Sequence, residues 1–452
     1  MRLRKTITTI VATAILLAGW QLFAVIANQP ELIPSLPRLV RTLCEWLVSG
    51  SFYQSAGATI LRGILGMSIS FVCAIGMAGL FARFEWVYEL FRPLLAIMRS
   101  IPVISFILLA LIFLNPESIP LMIAFLTMFP LLTENLTRGI LDLRPGLSIM
   151  ARQFHIKRSN VLFQIIYPQL KPFLYSGLAS AAGFGWRAII MGEVLSQCAF
   201  GIGSEMKRAQ NFIAVPELLA WTIVAVFISF FFDKGISKVA DITPKISFAN
   251  EDQTIPTPTL SVLDTKDISY QYGIQHFSHS FQKGIIYGIS APSGKGKTTL
   301  LNLIGGILLP TEGEIHPTRH FGIATIFQQP QLLPHLTAEE NIILPLSSFL
   351  TEEKARRIAQ KHLQEMEMEP FGNRYPKELS YGQQQRIAIA RALAYPSPLL
   401  LMDEPFKGLD EALSHRIIER IREKQMKEER IILFTSHNPD EIRLLADEVI
   451  YL

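Results

Sequence analysis

Apolar residues are unevenly distributed along this chain. In the first half they form long runs: Ile7–Ala27, Ala56–Ala82, Leu94–Leu114, Ile119–Leu136, Phe173–Leu195 and Leu218–Phe232. Each is close to the roughly 20 residues that a helix needs to cross a bilayer. Six spanning helices are therefore expected, and an even count puts both ends of the membrane domain on one side. Pro34–Phe52 instead mixes Arg38, Arg41 and Glu45 with Leu39, Leu43 and Trp46, the pattern of a helix lying at the interface. Past Phe232 the runs stop. Asp241–Thr259 gathers Pro244, Asn250, Glu251, Asp252, Pro256 and Pro258 and reads as a linker. Alternating residues follow (Leu260, Val262, Ile268, Tyr270), as in a strand. The expected organisation is a membrane domain over 1–240, a linker over 241–259 and a second domain over 260–452.

Composition agrees with the pattern. A chain of 452 residues allows two or three domains, and 50% hydrophobic content is too apolar for an ordinary soluble enzyme. The net charge of +4 gives little support to nucleic-acid binding. Cys44, Cys73 and Cys198 are far apart and suggest neither a disulfide framework nor a zinc site. Arg2, Arg4 and Lys5 ahead of the first run would suit a signal peptide. The run is long, however, and closes without a small-residue cleavage pattern, so an uncleaved span is expected.

Loop charges give the orientation. Arg138, Arg144, Arg152, Lys157, Arg158 and Lys171 face the single acid Asp142 between the fourth and fifth runs, which marks that loop as cytoplasmic. The N-terminus and everything after Phe232 then share the cytoplasm, beneath a multi-pass inner membrane. Arg62, Arg99, Glu134, Arg187 and Glu193 fall inside apolar runs and must face protein, water or headgroups. Arg187 and Glu193 share a segment. They either line a pathway or form an internal ion pair.

The second half carries chemistry. Ser290-Ala291-Pro292-Ser293-Gly294-Lys295-Gly296-Lys297-Thr298-Thr299 stands between a strand-like and a helix-like run, the setting of a phosphate-binding loop. The N–H groups of Ser293, Gly294, Lys295, Gly296, Lys297, Thr298 and Thr299 would cradle the phosphates of ATP. Lys297 would reach the β and γ phosphates, and the Thr298 hydroxyl would ligate Mg²⁺. Ala291 stands where the motif wants glycine. Tyr272, before Gly273, is a candidate to stack on adenine, or is simply packed. Leu399–Met402 is a continuous apolar run ending in Asp403-Glu404, as in a buried parallel strand that delivers carboxylates at its C-terminal edge. Asp403 would serve the Mg²⁺ shell, and Glu404 would act as general base on the attacking water.

Leu379-Ser380-Tyr381-Gly382-Gln383-Gln384-Gln385-Arg386 closely resembles the signature motif of ATP-binding cassette (ABC) ATPases, with Tyr381 in place of the first glycine. Phe327-Gln328-Gln329-Pro330 resembles the Q-loop of that family, Gly408-Leu409-Asp410 its D-loop and Thr435-Ser436-His437 its switch histidine. The resemblance implies that Ser380, Gly382 and Gln383 complete the ATP site of a second chain. It implies that Gln328 senses the γ-phosphate and Mg²⁺, that His437 contacts the γ-phosphate and that Asp410 crosses the dimer interface. Ser35–Ile236 resembles more loosely the permeases of binding-protein-dependent ABC importers of the nitrate, sulfonate, taurine and thiamine-precursor type. In their coupling-helix pattern Ile149-Met150-Ala151 stands for Glu-Ala-Ala, His155 for the glycine and Tyr167-Pro168 for Leu-Pro.

The fold class expected is a six-span all-α bundle followed by an α/β phosphate-loop ABC ATPase domain with a helical signature subdomain. The function expected is ATP-driven uptake of a small solute. The partners implied are a second copy or a related half-transporter, an extracytoplasmic substrate-binding protein, the bilayer and the solute. Export, or a regulatory membrane protein with a decayed ATPase, are the alternatives.

Overall fold

Pro102 decides the shape of the third apolar run. In the computed structural model the helix Glu85–Ser100 ends at Ile101, which is extended (φ −70°, ψ 130°), and Val103–Phe113 restarts at 94° to it. Proline supplies no N–H and disfavours helical backbone at the residue before it, so the run cannot continue straight. The structure describes residues 2–240, 244–253, 260–271, 273–292, 294–317 and 322–452, without the side chains of 2–6, 9 and 10.

The expectation of six spans is corrected accordingly. Among the described residues four helices are long and apolar enough to cross a membrane: Gly50–Arg83, Pro116–Leu141, Arg158–Ser196 and Val215–Ala240, with a fifth if the bent pair counts as one. The first run lies in the helix Arg2–Ala27, but its apolar stretch Val11–Ala27 falls short of spanning length. At 1.5 Å per residue it covers about 26 Å of a hydrocarbon core about 30 Å thick.

Two units are resolved, one of Met1–Leu143 with Gln169–Thr243, the other of Arg144–Pro168 with Pro244–Leu452. The first is a multi-pass membrane domain. Gly50–Arg83 and Ile119–Leu141 approach closely because Gly66 lacks a side chain; a methyl group there would lie 2.6 Å from Ala124 Cβ. Four of the five intramembrane charges, Arg62, Arg99, Glu134 and Glu193, find partners on other segments. Glu193 is fully buried and accepts from Thr59 Oγ1 (2.9 Å), Arg62 Nη1 (2.8 Å) and the Gly203 amide (2.9 Å). Arg62 also reaches Glu117 at 2.6 Å, and Arg99 and Arg138 both pair with Glu134. Arg187 instead lines a groove of about 730 Å³ with Trp186, Thr222, Phe230 and Asp233.

In the second unit strands β1 (Val262–Tyr270), β2 (Ile274–Gln282) and β4 (Glu312–His316) form an antiparallel sheet in the order β2-β1-β4. Five parallel strands form the other: β3 (Ile286–Ser290), β5 (Ala324–Ile326), β6 (Leu399–Asp403), β7 (Ile431–Thr435) and β8 (Glu448–Tyr451), ordered β5-β6-β7-β3-β8. Strands β6 and β7 are buried along their full length, as unbroken Leu/Ile runs require when both faces are covered.

The segment Arg144–Pro168 packs in this unit's core. Leu147, Met150, Phe154 and Ile165 are at most 2% exposed there. Gln153 donates to the Gly305 carbonyl (2.8 Å) and accepts the Ile323 amide on its own carbonyl (2.8 Å). Of the linker, residues 244–253 are described. Ser247 exchanges two 2.8 Å hydrogen bonds with the Asn160 side chain, and Asp252 accepts the Thr351 amide at 2.9 Å. His155 shows why a glycine suits its place, since its φ is +46°.

The same unit holds a buried histidine with a consequence for acid stability. His362 is 4% exposed, and burial, then the charges of Lys424, Lys361 and Arg430, depress its pKa from 6.5 to about 3. The unfolded chain therefore takes up this proton first. Stability is fully present above the unfolded value and falls as pH drops towards the folded one, by up to about 1.4 kcal/mol per pH unit. His362→Gln is expected to flatten the dependence of melting temperature on pH over that window. Thermal unfolding across a pH series checks this, and an unchanged slope contradicts it.

Candidate functional site

Parallel pairing of β6, β7 and β3 brings three loops to one edge of the sheet. Asp403 stands opposite Thr435, and Thr435 opposite Ile289, so the chain leaves all three strands side by side at their C-terminal ends.

The loop after β3 turns through Gly294 (φ +81°) and Gly296 (φ +87°) before the helix Lys297–Ile304. Only glycine fits at Gly296, where a methyl group would also lie 2.7 Å from the Gly273 carbonyl oxygen. Lys297 is 7% exposed, and its ammonium donates to the carbonyls of Ala291 (2.7 Å) and Pro292 (3.5 Å). No carboxylate forms a salt bridge with it among the described residues. A nearly buried cation satisfied by carbonyls alone is suited to an incoming anion. Ala291 adopts no left-handed backbone, so the missing glycine is not required for conformation, and the Ala291 carbonyl holds the lysine. Lys295 lies within this turn, its amide donating to the Pro292 carbonyl at 3.3 Å, and Thr299 lies in the first turn of the helix. Ser293 and Tyr272 lie outside the described residues.

Asp403 is 8% exposed and receives hydrogen bonds from Thr298 Oγ1 (2.9 Å) and Thr435 Oγ1 (2.8 Å). Burial pushes its carboxyl up, against those two hydroxyls. One carboxylate with hydroxyl oxygens is a hard donor set of the kind Mg²⁺ takes beside phosphate. Glu404 occupies a left-handed backbone position (φ +49°), and its amide donates to Thr435 Oγ1 at 3.1 Å. His437 Nε2 lies 3.0 Å from Glu404 Oε1, and Lys407 Nζ 3.2 Å from Oε2. Burial alone would raise the Glu404 pKa. The hydrogen bond and charge of Lys407, the Gln328 side chain and His437 outweigh it and hold the carboxyl below its ordinary range. Gln328, two residues past β5, thus acts on Glu404.

Ser380 caps the helix Tyr381–Ala394 in a reciprocal pair with Gln383. Its hydroxyl accepts the Gln383 amide (3.3 Å), and its own amide reaches Gln383 Oε1 (2.9 Å). Gly382 backs onto Gly408, whose carbonyl oxygen would stand 2.5 Å from a methyl group at Gly382. Asp410 is exposed, and its side chain caps its own helix Glu411–Glu428 by accepting the Leu413 amide at 2.9 Å. The structure therefore gathers Lys297, Thr298, Asp403, Glu404, Gln328 and His437 around one sheet edge. It places Ser380, Gly382, Gln383 and Asp410 at two helix N-termini.

Two contributors carry no signal of their own in the sequence. Thr435 bridges Asp403 to the Glu404 amide, although it lies in the stretch that resembles the switch histidine. Arg391 is 1% exposed, and burial lowers its pKa to about 10. It donates to the carbonyls of Pro330 and Gln331 (2.8 Å each) and stands 5.4 Å over the Phe154 ring.

Residues 274–407 match the family model "ABC transporter", and residues 66–233 match "Binding-protein-dependent transport system inner membrane component". The thiamine import ATP-binding protein of Yersinia pseudotuberculosis is 34% identical over 205 residues, 42% of this chain and 86% of that protein. An uncharacterized ABC transporter ATP-binding protein of Methanocaldococcus jannaschii is 34% identical over 201 residues, 40% and 85% of the two chains. The Fe(3+) ions import ATP-binding protein of Rhizobium etli is 35% identical over 189 residues, 40% of this chain; the match spans about half of that protein, 54%. A dimeric post-hydrolysis structure of an ATP-binding cassette bound to ADP and Pi aligns with a TM-score of 0.40 and 32% identity, covering 42% of this chain and 94% of that one.

Proposed function

The chain belongs to the ABC transporter family, and from that premise we propose that it hydrolyses ATP to drive uptake of a small solute, permease and ATPase being fused in one polypeptide. The observation that carries the reading is the meeting of Lys297, Thr298, Asp403, Glu404 and His437 at the C-terminal edge of β3, β6 and β7. The likeness of residues 66–233 to binding-protein-dependent permeases favours import over export. It also implies a separate substrate-binding protein. The basic residues between Arg138 and Lys171 put the ATPase on the cytoplasmic side.

The roles follow from the geometry. Amides of Gly294 to Thr299 and the Lys297 ammonium hold the triphosphate, Lys297 exchanging its two carbonyls for phosphate oxygens. Thr298 and Asp403, with Gln328 beyond them, are the residues that would hold Mg²⁺, which supplies charge neutralisation on the β and γ phosphates. Glu404, kept ionised by Lys407, accepts a proton from the attacking water, and His437 fixes its orientation. Ser380 to Gln383 complete the site of a second copy or of a related half-transporter. The segment Arg144–Pro168, seated in the ATPase core and covalently continuous with membrane helices, conveys the change.

Lys297→Ala tests the nucleotide reading in the full chain reconstituted in lipid vesicles. Charge-assisted hydrogen bonds of about 1.5–3 kcal/mol predict an ATP affinity lower by roughly 10- to 100-fold, with turnover falling in step. Unchanged affinity, or a wild-type turnover as negligible as the variant's, overturns the proposal.

A further inference from the structure

We infer that Tyr381 is a positioning residue that ties the helix facing the partner's nucleotide to the catalytic glutamate of its own chain, so that each ATP site senses the other. The inference rests on the proposed reading of Ser380–Gln383 as the part that meets a second chain's ATP. Tyr381 stands where the resembling family carries a glycine, and the structure gives its side chain two neighbours. The hydroxyl donates to the Gln328 carbonyl at 2.7 Å. The ring lies against Gly408, where a methyl group would come within 2.8 Å of Cδ1. The next residue, Gly382, backs onto the Gly408 carbonyl. One side chain therefore touches the loop that follows β5 and the loop that follows β6.

Those two loops are the ones that carry Gln328 and Glu404. The Gln328 side chain helps hold the Glu404 carboxyl below its ordinary range, and Lys407, the neighbour of Gly408, pairs with Glu404 Oε2 at 3.2 Å, so a path runs from Ser380 through Tyr381 and both loops to Glu404 inside one chain. The path begins at a stiff point. Ser380 and Gln383 fix the first turn of the helix reciprocally, so a displacement of Ser380 on meeting an anion carries Tyr381 with it. A glycine at this place would supply neither the hydroxyl nor the ring, and its backbone would be free to absorb the displacement locally. Tyr381 and Gln328 are both exposed, so removing the hydroxyl opens no cavity in the core.

Tyr381→Phe removes the link and keeps the ring. In the full chain in lipid vesicles, maximal ATP turnover is expected to fall about 2- to 10-fold, the effect of one ordinary hydrogen bond. The Hill coefficient for ATP is expected to move towards one, with little change in melting temperature. In a Gln328→Ala background the same substitution is expected to add nothing, because the path is already cut. Turnover and Hill coefficient indifferent to Tyr381→Phe overturn the inference, and so do effects that add in full to those of Gln328→Ala. Absence of turnover in the wild-type chain overturns the ATPase reading and this inference with it.

Discussion

Glu404→Gln is expected to lower ATP turnover by about 10²- to 10⁴-fold, the contribution of a positioned general base, while ATP binding stays within a few-fold of wild type. The substitution keeps the size of the side chain and removes its charge. Its backbone site persists, because the left-handed conformation is held by the Thr435 hydroxyl beneath the amide. The contact to Lys407 weakens, since a neutral amide no longer attracts its charge. Phosphate release and nucleotide titration on the same preparation separate the two effects. Loss of binding together with turnover would assign Glu404 to the architecture of the pocket and leave the base unidentified.

Phe154→Ala is expected to be the most damaging change outside the nucleotide site. The ring is fully buried, meets Tyr395 edge-on at 5.2 Å and lies beneath Arg391 at 5.4 Å. Truncating such a ring typically costs about 3–5 kcal/mol through lost transfer energy and the cavity left behind. Here it also strips an aromatic face from a buried guanidinium that has no carboxylate partner among its hydrogen bonds. The seat of residues 145–153 should loosen. Hydrogen exchange over those residues is expected to speed up, and ATP turnover to persist while solute uptake falls. Phe154→Leu, which leaves a smaller cavity, should be milder on both measures. Unchanged exchange protection in Phe154→Ala would mean that the segment is held by its polar contacts alone.

How much of this was legible in the sequence depends on the range over which each feature is decided. The strand, loop and helix around Lys297, and the apolar strand ending at Asp403, are specified by contiguous residues and stand in the structure as read. Parallel pairing then brings them together, an outcome implied by buried Leu and Ile runs on several strands. The spans were miscounted because hydropathy averages over a window. Pro102 sits inside an apolar run and barely changes its mean, yet it breaks the helix. The partner of Glu193 could not be read either. Arg187 lies on the same segment, whereas the residue that binds the carboxylate is Arg62, on a helix more than a hundred positions away. Tyr381 reads as a departure from a motif, and only the fold shows what its hydroxyl reaches.

The placement of residues 144–168 bears on how the chain is made. These residues emerge from the ribosome between two membrane helices, but the core that buries Leu147, Met150 and Phe154 is built from strands and helices translated much later. Phe154 must wait for Arg391 and Tyr395, which at about 5–20 residues per second arrive on the order of ten to fifty seconds afterwards. During that interval an apolar segment hangs beside the membrane without its seat. Separate genes for permease and ATPase would leave its cover to a chance encounter, whereas fusion guarantees that the cover is synthesised in cis and at high effective concentration.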